Sequence, residues 1–134
     1  MAATTTFRAF VDGLEALSIT GVKKAYTAGV PTSISGLPAS FVSMPRGESS
    51  TISKGRDAHF PTLRANLVVA IQPVPQKTQA INFDAAVDML DNVKSALDGF
   101  SVGKTAPRWK MDVVIYIIGK IEYWAVDAEV EVEG

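Results

Sequence analysis

The sequence predicts a single-domain α+β fold: a mainly antiparallel, twisted sheet with two amphipathic helices packed on one face and a long polar arm between strands. Three observations carry this. Apolar residues recur at helical spacing near both 5–17 and 82–98. They alternate with polar ones over 63–72, as in a half-buried strand. The C-terminal third is apolar, β-branched and aromatic, with turn residues at its middle.

The first helix places Phe7, Phe10, Val11, Leu14 and Leu17 on one stripe, with Thr4 to Thr6 available as caps and Gly13 weakening it slightly. Ile19 to Tyr26 then reads as a short strand. Residues 29–45 are punctuated by Pro31, Gly36, Pro38 and Pro45, so that only Ala39 to Met44 suits a strand there. The arm follows, from Pro45 to His59. It holds two glycines, four Ser/Thr hydroxyls and mixed charge, too little apolar surface to offset the entropy of ordering it. Long loops in compact domains are uncommon and usually functional, so the arm is expected to order against another molecule.

Leu63, Ala65, Leu67, Val69 and Ile71 alternate with Arg64, Asn66, Val68, Ala70 and Gln72 in a long strand that stops at Pro73 and Pro75. The second helix is expected to begin at the N-cap Asn82. It would turn Phe83, Ala86, Val87, Leu90, Val93 and Leu97 inward and end at Gly99. From Asp112 to Ile118 both parities are apolar, as in a strand covered on both faces. Gly119-Lys120 supplies a tight turn or a bulge. Beyond it, Trp124, Val126, Ala128, Val130 and Val132 face one way, and Tyr123, Asp127, Glu129, Glu131 and Glu133 the other. Unbroken, 111–133 would extend about 75 Å, so a break or cover from a neighbouring subunit is required.

Composition narrows the function classes. The chain has 134 residues, 47% hydrophobic and 20% charged, which fits one globular domain of a soluble protein used without export. Zero cysteines exclude a disulfide framework, a thiolate metal site and a cysteine nucleophile. No apolar run approaches the roughly 18 residues of a membrane span, and no block is basic enough for nucleic acid. The net charge of −1 hides an asymmetry: residues 1–80 carry eight Lys/Arg against four Asp/Glu, whereas residues 81–134 carry five against ten. Chance partition over one mixed surface explains this, as do opposite faces that meet head to tail.

No catalytic, cofactor or metal site emerges. Gly103-Lys104-Thr105 resembles the end of a phosphate loop, but Gly99 is one residue too late for its first glycine and Pro107 breaks the helix that should follow. Asp84, Asp88 and Asp91 share a helix face that could meet a hard cation, the basis of a metal-dependent enzyme as the competing class. Solvated carboxylates near a helix N-terminus explain them as well. His59 lacks a second histidine or a nucleophile, and Ser49, Ser50 and Ser53 lack a Gly-x-Ser-x-Gly elbow.

Interface residues are the better candidates. Tyr123-Trp124 suits either core packing or an interface anchor. The final strand, taken as an acidic edge, would use Asp127, Glu129 and Glu131 to block pairing or to direct it to a basic partner. On the arm, Arg46, Lys54 and Arg56 are the complementary cations, with Glu48 and His59 beside them. Plain solubility is their alternative role.

The order of these elements, with Leu37-Pro38-Ala39-Ser40-Phe41-Val42 and the ending Ile121-Glu122-Tyr123-Trp124-Ala125-Val126-Asp127-Ala128-Glu129-Val130-Glu131-Val132, resembles the small tail-terminator and neck (tail-completion) proteins of long-tailed bacteriophages. The resemblance covers most of the chain and lies in patterns of apolar and turn residues rather than catalytic signatures. It implies an α+β subunit in a homo-oligomeric, sixfold ring without cofactors. Such a ring caps the tail tube, stops its growth and joins it to the head connector, in a virion assembled in the host cytoplasm. Its implied partners are further copies of the chain, the tail tube protein and a neck or head-completion protein. A head-closure protein of the same particle is the alternative. The sequence departs from the usual pattern at Ala125, where the family tends to carry glycine, which bears on a local turn at Tyr123-Trp124.

Overall fold

The computed structural model describes residues 6–48, 62–74, 79–101 and 107–133; the side chains of residues 48 and 79–81 lie outside that description. The element order is α1 (Phe7–Glu15), β1 (Lys24–Ala25), β2 (Ala39–Glu48), β3 (Thr62–Pro73), α2 (Gln79–Asp98), β4 (Arg108–Ile118) and β5 (Ile121–Glu133). The five strands form one open sheet in the order β1-β2-β3-β5-β4. All neighbours are antiparallel except β1 and β2. The α+β expectation, with two helices packed on a mostly antiparallel sheet, is met.

Thr6 caps α1 by accepting the Ala9 amide at 3.1 Å, satisfying one of the free N–H groups of the first turn. Phe10 and Leu14 are fully buried, Val11 packs at the margin, and Phe7 stays half exposed. The strand expected over Ile19 to Tyr26 shrinks to Lys24–Ala25, because the chain turns at Gly21 with φ +90° and Ile19 enters the core from a loop.

β2 runs four residues further than expected, so Pro45 to Glu48 are strand and not arm. Pro45 is accommodated by a bulge. Ser43 pairs with Asn66 and Arg46 with Arg64, leaving Met44 and Pro45 opposite one residue, and Met44 takes φ +52°. The missing N–H of proline is tolerated where ladder bonding is already interrupted. The remainder of the arm, including Lys54, Arg56 and His59, lies outside the described residues, as do Ser49, Ser50, Ser53 and Gly103-Lys104-Thr105.

α2 begins three residues before Asn82, which is therefore no cap. Its side chain is buried on the inner face, and neither its amide nitrogen nor its oxygen has a hydrogen-bond partner among the described residues. The buried face is Asn82, Ala86, Met89, Val93 and Leu97; Phe83 and Val87, expected to point inward, are 60% and 40% exposed. Asn82 and Met89 replace Phe83 and Val87 on the inner face while Ala86, Val93 and Leu97 stay there, a rotation of the stripe by about 50°, half of one residue's 100°. The helix ends at Gly99 as expected, with the Gly99 and Phe100 amides bonded to Ala96 and Leu97 carbonyls at 3.2 and 3.0 Å.

The main core lies between the helices and one sheet face. α1 packs on β2 and β3, and α2 on β3 and β5. The opposite face is divided along its length. Towards the β4–β5 turn it is apolar, with Phe41, Val68, Ala70, Ile118, Tyr123 and Ala125 covered by Tyr26, Ile34 and Leu37 of the β1–β2 connection. Towards the other end it is charged.

Candidate assembly surface

The charged half of the outer face is built by strand alternation. Arg64 and Asn66 on β3, and Asp127, Glu129 and Glu131 on β5, project from the face opposite the buried Leu63, Ala65, Leu67, Ala128, Val130 and Val132. Asn66 Nδ2 donates to Asp127 Oδ1 at 2.7 Å. Arg46 comes across from β2, donating to Asn66 Oδ1 and to the Met44 carbonyl, both at 2.8 Å, and pairing with Glu129. Glu131 is held by Arg64 at 2.7 Å and Arg108 at 2.6 Å, while Lys110 lies 3.5 Å from Glu129. The hydrogen bond from Arg64, ahead of the opposing burial and the Arg108 charge, holds the Glu131 carboxyl below its usual range.

This arrangement corrects the expected roles of the site residues. β5 is not an edge: from Tyr123 to Glu131 it lies between β3 and β4. Asp127, Glu129 and Glu131 therefore cannot guard or direct edge pairing. The expected attraction between Arg46 and the acidic strand exists, but within one chain, with Arg46 on a bulged strand rather than a loop. Glu48 closes β2 opposite Thr62. Tyr123 is 4% exposed inside the second core, so of the two roles left open it takes the packing one. No turn occurs at Tyr123-Trp124. β5 runs straight through Ala125, and the irregularity falls on the facing strand between Ala70 and Gln72.

The true edge is β4. Its burial changes face halfway along. Trp109 and Met111 pack towards the helices, whereas Val114, Tyr116 and Ile118 pack on the opposite side under the β1–β2 connection. The residues left over, Val113, Ile115 and Ile117, are 37%, 46% and 61% exposed on the helix side, where neither helix covers them. Trp124, opposite Ile115, is half-buried beside them. From Val113 to Ile118 the edge carries no charge, proline or glycine. Sequence reasoning recognised a strand apolar on both parities but could not say which face lacked cover. The signal was present in the count of helices, since two helices do not roof a sheet of this width.

The cavities are shallow. A cleft of about 270 Å³ lies between α1 and β2, lined by Phe7, Val11, Val42 and Pro45 and rimmed by Arg8 and Glu15. Asp84, Asp88 and Asp91 are exposed, and among the described residues no set of His, Asp and Glu is grouped so as to hold a metal ion. No helix among the described residues is long and apolar enough to cross a membrane.

Comparison with protein-family models, with curated proteins and with solved structures finds no match for this chain. The geometry of its surfaces therefore carries the functional reading together with the sequence resemblance.

Proposed function

We propose that the protein is a structural virion assembly protein: a ring-forming tail terminator that caps the tail tube, stops its polymerisation and joins the tail to the head–neck connector. The observation that carries the assembly reading is the open β4 edge, uncharged from Val113 to Ile118 and bearing Val113, Ile115 and Ile117 without cover. A long apolar edge in solution is a template for pairing with another chain, and proteins that stay monomeric block it. A closed ring of identical head-to-tail contacts gives every such edge a partner and leaves none free. The terminator assignment within this class rests on the order of elements and the C-terminal strand that resemble the tail-terminator and neck proteins.

Purified protein incubated with tail tubes is expected to form rings with a central lumen at tube ends and to limit tube length in electron micrographs. Protein that stays monomeric and leaves tube length unrestricted would overturn the reading. Capture of the portal-side protein without capture of tube protein would place the ring at head closure instead.

A further inference from the structure

We infer that α2 is a two-position helix: one packing leaves Val113, Ile115 and Ile117 of β4 bare, and a second, rolled by about 50° towards β4, lays Phe83 and Val87 over them. The roll rests on the packing of a single chain; its consequence for ring formation rests on the assembly reading above.

The amphipathic stripe of α2 and its buried face do not coincide. At 100° per residue, the stripe of Phe83, Ala86, Val87, Leu90, Val93 and Leu97 is centred about 50° from the face formed by Asn82, Ala86, Met89, Val93 and Leu97. The difference lies in four side chains: Asn82 and Met89 are in, Phe83 and Val87 are out. Asn82 is 1% exposed, and neither its side-chain nitrogen nor its oxygen has a partner among the described residues, so it forfeits hydrogen bonds that water would supply. One residue on, Phe83 leaves more than half of its surface in water. A buried orphaned amide beside an exposed aromatic is strain that one rotation relieves at both residues.

The direction of that rotation is fixed by the neighbours of the helix. A Cβ at Gly21 would lie 3.6 Å from Met89 and 3.5 Å from Asn92, so this flank of α2 faces the α1–β1 connection. Phe83 and Val87 lie on the opposite flank, towards β5 and then β4 in the order of the sheet. α2 starts from the Pro73 end of β3, level with Tyr123 and Tyr116 and therefore beside Ile115 and Ile117. Rolling this flank down seats Phe83 and Val87 against Trp124, Ile115 and Val113 and lifts Asn82 towards water. Leu90, half-buried, stays covered in both positions. The opposing loss is Met89, which is 4% exposed and would come out. A free subunit in the rolled position withholds the strip, and contacts made by the bare strip draw the helix back by mass action.

The chain has no cysteine, so single thiol reporters read the helix directly. Val87→Cys and Met89→Cys, at positions 40% and 4% exposed, are labelled in the free subunit with Asn82 retained, with Asn82→Leu and with Asn82→Asp. Asn82→Asp favours the position in which residue 82 meets water. It is expected to slow labelling at Val87→Cys and to speed it at Met89→Cys, each by at least about tenfold, in protein that melts cooperatively. Asn82→Leu, which suits the buried position, should slow Met89→Cys and leave Val87→Cys reactive. Faster labelling at both sites, unchanged labelling at both, or an Asn82→Asp protein that does not fold would overturn the roll. In sedimentation, Asn82→Leu should assemble at lower concentration than wild type and Asn82→Asp at higher, and exchanged labelling without this shift would overturn the link to the strip. Wild-type protein that never assembles would remove the assembly reading and leave the labelling result to decide the roll.

Discussion

The two edges of the sheet are built on opposite plans. On the β2 side the edge is interrupted at every level: two residues of β1 cover Ala39 and Ser40, a bulge with Pro45 breaks the ladder, and Arg46 fastens the bulge to β3 and β5. On the β4 side, eleven residues run without a bulge, and charge is confined to the first half, where Arg108 and Lys110 pair with acids of the neighbouring strand. The second half is apolar and open. Bulges, proline and short cover strands are the means by which edges are made unavailable. A chain that applies them on one side and omits them on the other separates a closed side from one left for contact.

The largest effect is expected at the open edge. Ile115→Lys should weaken assembly by about 100-fold or more, as loss of a central interface residue does, while leaving the thermal midpoint of the monomer within about 2 °C, since Ile115 is half exposed before assembly. A matching loss of monomer stability in sedimentation and melting experiments would show Ile115 to be a core residue instead. At the closed edge, Arg46→Ala should cost about 1–2 kcal/mol in denaturant unfolding, because it removes the one side chain that joins Asn66, Glu129 and the Met44 carbonyl. Arg108→Ala, on a side chain that is 70% exposed, should cost less than about 0.5 kcal/mol. Equal costs would dissolve the distinction between the fastened edge and the free one.

Gly47→Val is a smaller test of the same side. A Cβ at Gly47 would meet the Phe7 ring at 2.4 Å, so the ring must swing outward and α1 loses its seat on β2. The ring is half exposed and can move, which limits the expected loss to about 1 kcal/mol. The smallest effect is in pH. Glu131 has its folded pKa lowered below the usual 4.5, so its contribution is present above that value and is lost as pH falls through the lower folded one. Glu131→Gln should remove that part of the acid-side decline in melting temperature and leave the slope above pH 6 unchanged. An identical acid decline in both proteins would mean that the Arg64 and Arg108 contacts carry no net preference for the charged form.

Much of this was legible in the residues. β3 and β5 stood out because Leu63 to Ile71 and Val126 to Val132 alternate on a face buried by helices, and period-two patterning is a local property. The turn at Gly119 followed equally from local chemistry, with Gly119 at φ +63°. Strand order was not local. The acids of β5 looked like edge guards because nothing in their spacing shows that β4 folds back outside them and β3 lies on the other side. Likewise the phase of α2 shifted because Met89 and the polar Asn82 pack inward, an outcome of tertiary fit that propensity does not encode. An attraction between the cations Arg46, Lys54 and Arg56 and the acids of the final strand was anticipated, but not the particular partner Glu129, and its placement inside one chain depended on β2 continuing through Pro45. The exposed strip on β4 was half legible: both parities were apolar, and only the observed roof of two helices showed which parity is bare.

Hydrogen exchange at the β4 edge tests the account most directly. In the assembled state the amides of Val113 to Ile118 should exchange at least about tenfold more slowly than in monomeric Ile115→Lys protein, whereas those of the central strand β3 should be slow in both. Unchanged exchange across Val113 to Ile118, in protein shown by sedimentation to be assembled, would contradict the claim that the open edge is where subunits meet.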